Sequence, residues 1–258
     1  MVSLLPRFGT MVVVACALAF GPGSAAGRAA ELAILTKARA YLGPEALLDG
    51  VKTVHFFGTL SVTNPSDPTK TTRTAVEFVF QKPDRQRIVK TTGKTVEVTA
   101  LDGYDAWQRI QVAGDPTKWR QTILSIDQIK RLRAATWESF SFYRGLEQHG
   151  GRIEDLGPAT ADGVACRKVA FIHAPNIVFR RYFALETGRL VYTETETGEI
   201  QREQGEIVAG GIRFPKSVKI DTKNAAGQPQ TVALDFERIT VNETFPDSLF
   251  RVPTVATK

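Results

Sequence analysis

Residues 124–148 read LSIDQIKRLRAATWESFSFYRGLEQ, and this stretch decides how the rest of the chain is understood. Glycine and proline are absent from it except at Gly145. Ile126, Ile129, Thr136, Phe140 and Tyr143 recur at three- and four-residue intervals, and Leu132, Trp137 and Leu146 widen the stripe. Lys130, Arg131, Arg133, Glu138 and Arg144 take the other side. This is the period of an amphipathic helix, which the spacing predicts over residues 124–148, ending by Gly150-Gly151. On both sides of it the period is two. A large antiparallel sheet interrupted by one helix tends to curl, and the helix then covers its inner face.

Before the helix, Val54, Phe56, Gly58, Leu60 and Val62 alternate with polar positions. Residues 64–69 (NPSDPT) form a turn rich in Pro and Asp. A strand near Thr72–Gln81 places Val76, Phe78 and Phe80 on one face, and residues 85–92, 95–101 and 106–112 continue the ladder. Gly114-Asp115-Pro116 closes this half. After the helix, strands are expected over 152–156, 164–173, 177–185, 189–195, 199–208, 212–221 and 230–241, joined by short Gly-containing turns. The expectation is about eleven strands, a mainly β chain. An N-terminal helix over 31–41 carries Leu32, Leu35, Ala38 and Leu42 on one face, and Glu45–Asp49 adds a short turn.

The chain has 258 residues, 43% hydrophobic and 23% charged, a globular composition with no dividing linker or internal repeat. Residues 1–26 read as an export signal. Arg7 is followed by the apolar run MVVVACALAF at 11–20, the break Gly21-Pro22-Gly23, and Ser24-Ala25-Ala26 as a cleavage site. The apolar run is too short to span a bilayer, which takes about 20 residues. The expected mature chain, 27–258, is a single domain. A second reading makes Val13-Val14-Ala15-Cys16 a weak lipobox and anchors the protein to the outer membrane through Cys16. The apolar residues Ala17 to Phe20 that follow are unlike a polar lipoprotein tether. With Cys16 removed, Cys166 has no partner for a disulfide and reads as a small buried hydrophobe. The net charge of +6 comes from Lys and Arg scattered along strands. That pattern argues against nucleic acid and suits transient contact with anionic lipid headgroups.

No catalytic motif accompanies the pattern. His55, His149 and His173 lie far apart and lack metal-ligand spacing, and neither a nucleophile elbow nor a phosphate loop is present. Glu194, Glu196, Glu199, Glu203 and Glu206 form a carboxylate run that reads as an exposed strand face rather than a glycosidase pair. No cofactor, metal or catalytic residue is expected. The expected site is an apolar cavity lined by Phe56, Leu60, Phe78, Phe80, Trp107, Phe140, Phe179, Phe183, Phe214 and Phe236, with Ile177 beside them. Trp119 and Trp137 are the other large aromatics expected to line or cover it. Ile126, Ile129 and Tyr143 form the apolar side of a lid.

The opening strand VKTVHFFGTL at 51–60, the hairpin LETGRL at 185–190, GIRFP at 211–215 and the ending VNETFPDSLFRVP at 241–253 complete a familiar arrangement. With the export signal and the mid-chain helix, it resembles the periplasmic outer-membrane lipoprotein-sorting proteins of the LolA/LolB-like superfamily, in particular its divergent secreted members. The resemblance implies an unclosed antiparallel β-barrel covered by an N-terminal helix and a mid-chain lid helix. It also implies a cavity that accepts acyl chains and an arginine on an early strand that holds the lid; Arg73, Arg85 and Arg87 are the candidates. The function expected is that of a periplasmic, monomeric carrier or binding protein for the acyl chain of a lipoprotein or lipid. The alternative is a non-enzymatic envelope sensor or protein-interaction module on the same fold.

Overall fold

A computed structural model describes residues 31–64, 67–224 and 226–253. The expected export segment 1–26, with Cys16, lies outside these residues, as do 65–66 of the first turn. From Leu32 onward the described chain forms one compact unit. Helix α1 (Ala33–Leu42) and the short α2 (Glu45–Asp49) precede six strands: β1 (Thr53–Asn64), β2 (Asp67–Gln81), β3 (Arg85–Thr92), β4 (Thr95–Asp102), β5 (Asp105–Val112) and β6 (Asp115–Ile123). Helix α3 (Ile126–Phe140) and a 3-10 turn at Leu146–His149 follow. Seven more strands complete the sheet: β7 (Arg152–Ala161), β8 (Val164–Ala174), β9 (Ile177–Ala184), β10 (Leu190–Thr195), β11 (Ile200–Ala209), β12 (Ile212–Lys223) and β13 (Pro229–Val241).

The thirteen strands form one antiparallel sheet in the order β6-β5-β4-β3-β2-β1-β13-β12-β11-β10-β9-β8-β7. Two meanders meet where β1 pairs with β13. The outermost strands, β6 and β7, are the two that α3 connects, and no pairing joins them among the described residues. This is an open barrel. The expected count of about eleven strands omitted β6. Its charged sequence Lys118-Trp119-Arg120, following Gly114-Asp115-Pro116, has the character of an edge rather than a core strand.

Period-two alternation gives the sheet two distinct faces. On the inner face, register aligns Val54, Phe80, Gln86, Leu101 and Ala106 across β1 to β5. On the outer face it aligns His55, Val79, Arg87, Ala100 and Trp107. Helices α1 and α3 cover the inner face. Leu35 and Ala38 of α1 pack with Val169, Phe171, Phe183 and Leu190, while Phe140 of α3 packs with Phe56 and Phe80. The outer face is crossed by the chain after β13. Trp107 Nε1 donates to the Phe250 carbonyl at 2.9 Å. His55, also buried, bridges Glu243 at 2.7 Å and Glu77 at 3.0 Å. Trp107 therefore belongs to the outer face and does not line the inner cavity.

Helix α3 starts at a capping box, with Gln128 N–H donating to Ser125 Oγ at 3.4 Å and Ser125 N–H to Gln128 Oε1 at 2.9 Å. It ends at Phe140, well before the Gln148 expected from periodicity. Phe142 and Tyr143 take the left-handed conformation, with φ of 52° and 67°. Their burial on the inner face offsets a backbone geometry that non-glycine residues rarely adopt. Burial of both rings thus ends the helix, although nothing in the 3.6-residue period marks it.

Gly58 sits at the bulge where β1 shifts register against β13. A Cβ there would lie 2.2 Å from the Asp235 carbonyl oxygen, a contact backbone cannot relieve. Gly58→Ala is expected to lower unfolding free energy by about 2–3 kcal/mol, measured by denaturant titration. An unchanged midpoint would contradict the register at this bulge.

Candidate functional site

A cavity of about 330 Å³ lies between α3 and the inner face. That is at the lower end of the range of about 300–1,000 Å³ seen for small-molecule pockets. Its floor is laid down strand by strand. β2 contributes Phe78 and Phe80, β1 Phe56, β13 Leu234 and Phe236, and β12 Phe214, Pro215 and Val218. Continuing across the sheet, β11 contributes Gln201 and Glu203, β10 Thr193, and β9 Phe179 and Arg181. Ala135, Glu138 and Ser139 of α3, with Phe142, Tyr143 and Leu42, form the roof and sides. Phe56 meets Phe80 and Phe214 edge-on, while Phe78 stacks on Phe80. Phe56 lies 5.9 Å from Phe80 and 5.8 Å from Phe214.

Six of the expected cavity residues line this space: Phe56, Phe78, Phe80, Phe179, Phe214 and Phe236. Phe140 and Phe183 do not, being enclosed in the hydrophobic clusters on either side. Leu60 pairs with Leu234 on the inner face but lies beyond the lining. Trp107 is on the opposite face, and Trp119 is partly exposed on edge strand β6, stacked under Arg109 at 4.7 Å. Of the expected lid residues, Tyr143 lines the cavity from the irregular segment after α3. Ile126 is 72% exposed in the first turn of α3. Ile129, Trp137 and Ile177 line a different hollow of about 510 Å³, which Ile126 also borders.

Glu138 is the largest departure from the periodic reading, which placed it on the solvent side of the helix. Its side chain is 7% exposed and pairs with Arg181 Nη2 at 2.5 Å, the arginine side chain being 9% exposed. The other oxygen of Glu138 meets His173 Nε2 at 2.7 Å. Arg181 lies over the rings of Tyr143 and Phe171, 5.0 Å from each. The helix is thus joined through its inward face to β8 and β9 by a buried, charged cluster. Nearer solvent, Arg131 pairs with Glu196, Arg133 with Asp84, and Arg144 with Glu45 and Asp49. These pairs range from half-buried to exposed, and the more solvated of them contribute little individually. The early-strand arginines do not take part. Strand register places Arg73, Arg85 and Arg87 on the outer face, where Arg85 pairs with Asp102 and Asp247. The arginine that meets the helix is Arg181, on a late strand.

The carboxylate run is also divided by the fold. Glu194 accepts from Tyr182 at 2.9 Å, and Glu206 pairs with Arg213 at 3.4 Å. Glu203 instead faces the cavity, half-buried. Burial pushes its carboxyl above the usual carboxylate range, opposed by Arg181 and Arg189. Cys166 is fully buried. Among the described residues, no cluster of three His, Cys, Asp or Glu side chains could hold a metal ion.

The architecture matches known structures that share little sequence with this chain. A LolA superfamily protein from Nitrosomonas europaea superposes with a TM-score of 0.55 at 11% identity, over 85% of this chain and 96% of that one. The fold is LolA-like. A domain assigned to the outer membrane lipoprotein-sorting proteins of Vibrio parahaemolyticus aligns with a TM-score of 0.54 at 9% identity, covering 84% and 95% of the two chains. A DUF1329 family protein from Desulfovibrio piger gives 0.53 at 9% identity, covering 85% and 96%. No protein-family model and no curated protein matches the sequence. At these identities the LolA-like fold is shared, while the cavity's chemistry is this chain's own.

Two outcomes follow from the buried charges. Glu138→Gln leaves Arg181 buried without its counter-ion, and is expected to cost about 3 kcal/mol of stability, read by denaturant titration; a loss below 1 kcal/mol would contradict the burial of this pair. Glu203, whose folded pKa is raised above its ordinary value of 4.5, favours the folded state below that value and loses this contribution as pH rises through the folded pKa. Wild-type stability should therefore fall relative to Glu203→Gln as pH rises above 4.5 through the raised folded pKa. Parallel profiles for the two proteins would show that Glu203 is solvated.

Proposed function

We propose that this protein is a periplasmic, non-enzymatic binding or carrier protein for an acylated ligand, lipoprotein or lipid, held in the cavity under α3. The observation that carries the proposal is the aromatic floor formed by Phe56, Phe78, Phe80, Phe214 and Phe236 beneath a helix. An acyl chain on this floor gains roughly 25 cal/mol for each Å² removed from water. Such burial needs no directional chemistry, in keeping with a fold found in lipoprotein-sorting proteins. No helix among the described residues is long and apolar enough to cross a membrane. The ligand would be exchanged by lifting α3, a motion that separates the buried Glu138–Arg181 pair as well as the outward ion pairs of the helix.

Native mass spectrometry of protein purified from its own cell envelope tests this reading, and an acylated species is expected to co-purify. Leu234→Trp, which adds bulk to the floor at a half-buried position, is expected to reduce uptake of a fluorescent fatty-acid analogue by about tenfold or more while the β circular dichroism spectrum is preserved. A protein that carries no acylated species and takes up no analogue would refute the proposal. Uptake unaffected by Leu234→Trp would place the binding elsewhere.

A further inference from the structure

The polarity of the cavity is graded along the strand order. Its β2, β1 and β13 portion is apolar, β12 adds Phe214, Pro215 and Val218 with the exposed Arg213 at the margin, and its β11, β10 and β9 portion carries Glu203, Gln201, Thr193 and Arg181. Register makes the second group contiguous. Gln201 lies opposite Thr193, and Thr193 opposite Arg181, along one row of the inner face. At the end of that row, Arg181 is 7% exposed. Its Nη2 is held by Glu138 at 2.5 Å, but its buried Nε and Nη1 donate to no protein acceptor. Buried donors on a charged group are costly to leave without an acceptor.

We infer that the cavity is built for an acyl chain that ends in an anionic head, with the chain over the phenylalanine floor and the head held by Arg181, Thr193 and Gln201. This deepens the proposed function and rests on it. A guanidinium with two unpartnered nitrogens recognises carboxylate or phosphate oxygens through charge-assisted hydrogen bonds, which are stronger than those to a neutral head. The nearby charges permit it. Glu138 is already shared between Arg181 and His173, and makes no hydrogen bond to Nε or Nη1. Burial raises the Glu203 carboxyl above the usual carboxylate range, which lessens its repulsion of an anionic head. The rings of Tyr143 and Phe171 cover the guanidinium. Phe171 is fixed within β8, so a head reaching these donors displaces Tyr143, which stands on the irregular segment after α3.

The test compares ligands of one chain length with different heads: laurate, lauroyl lysophosphatidic acid and uncharged monolaurin. Each is titrated below its critical micelle concentration by isothermal calorimetry or by displacement of a fluorescent probe. The acidic ligands are expected to bind at least about tenfold more tightly than monolaurin. The tighter of the two acids identifies the head as carboxylate or phosphate. Arg181→Lys, which keeps a charge beside Glu138 but removes the planar fork, should reduce the ratio of acid to monolaurin affinity severalfold. Should Arg181→Lys fail to fold, the double variant Glu138→Gln with Arg181→Gln removes the pair together and should bring the ratio close to one. Equal binding of acidic and uncharged ligands by the unaltered protein would overturn this inference while leaving the acyl cavity intact. An absence of binding by all three ligands would overturn the acyl reading as well.

Discussion

One topological constraint governs the site. Helix α3 connects β6 to β7, the two edges of a thirteen-stranded sheet. A connection between opposite edges must pass over one face of the sheet, and the apolar inner face is the one that gains from cover. Between the end of the helix and β7 the chain adds an irregular segment and a 3-10 turn. The cavity is the volume left between this crossing and the strands beneath. The buried Glu138–Arg181 pair fixes where the helix lies over the face, because separating the two would strand a charge away from water. A hydrophobic pair in their place would remove the buried cation from the polar end of the cavity.

Much of the fold was legible because it depends on periodicity. The alternation around Phe56, Phe78 and Phe80 reports burial directly, and the three- and four-residue spacing of the helix does so at Thr136 and Phe140 but not at the exposed Ile126. Strand β6 was missed because an edge strand has one unpaired side and accepts charge, so Lys118 and Arg120 give it the composition of a loop. The end of α3 was missed because Phe142 and Tyr143 leave the helical conformation through tertiary burial and not through any breaking residue.

The cavity was half legible. Its phenylalanines announce themselves by hydrophobicity. Its charged members do not, since Glu138 and Arg181 look like solvent residues until their partners across the structure are known. A signal did exist in β9: Phe179, Arg181 and Phe183 share one strand parity, which places a charge on the buried face. Trp107 shows the reverse error. A large aromatic in a strand is equally suited to either face, and the covering chain at Phe250 decided its place. Distance in sequence explains both cases. Glu138 and Arg181 are joined only through strand order, and Trp107 meets a residue 143 positions away.

The central claim is that α3 and the segment after it close over a ligand. Amide hydrogen exchange with and without laurate tests it most directly, since exchange reports local opening. The account predicts that residues 126–146 exchange faster than the central strands β1 and β13 in the absence of laurate, and that laurate slows them selectively. Exchange over 126–146 that is as slow as in β1 and β13, and indifferent to saturating laurate, would contradict it.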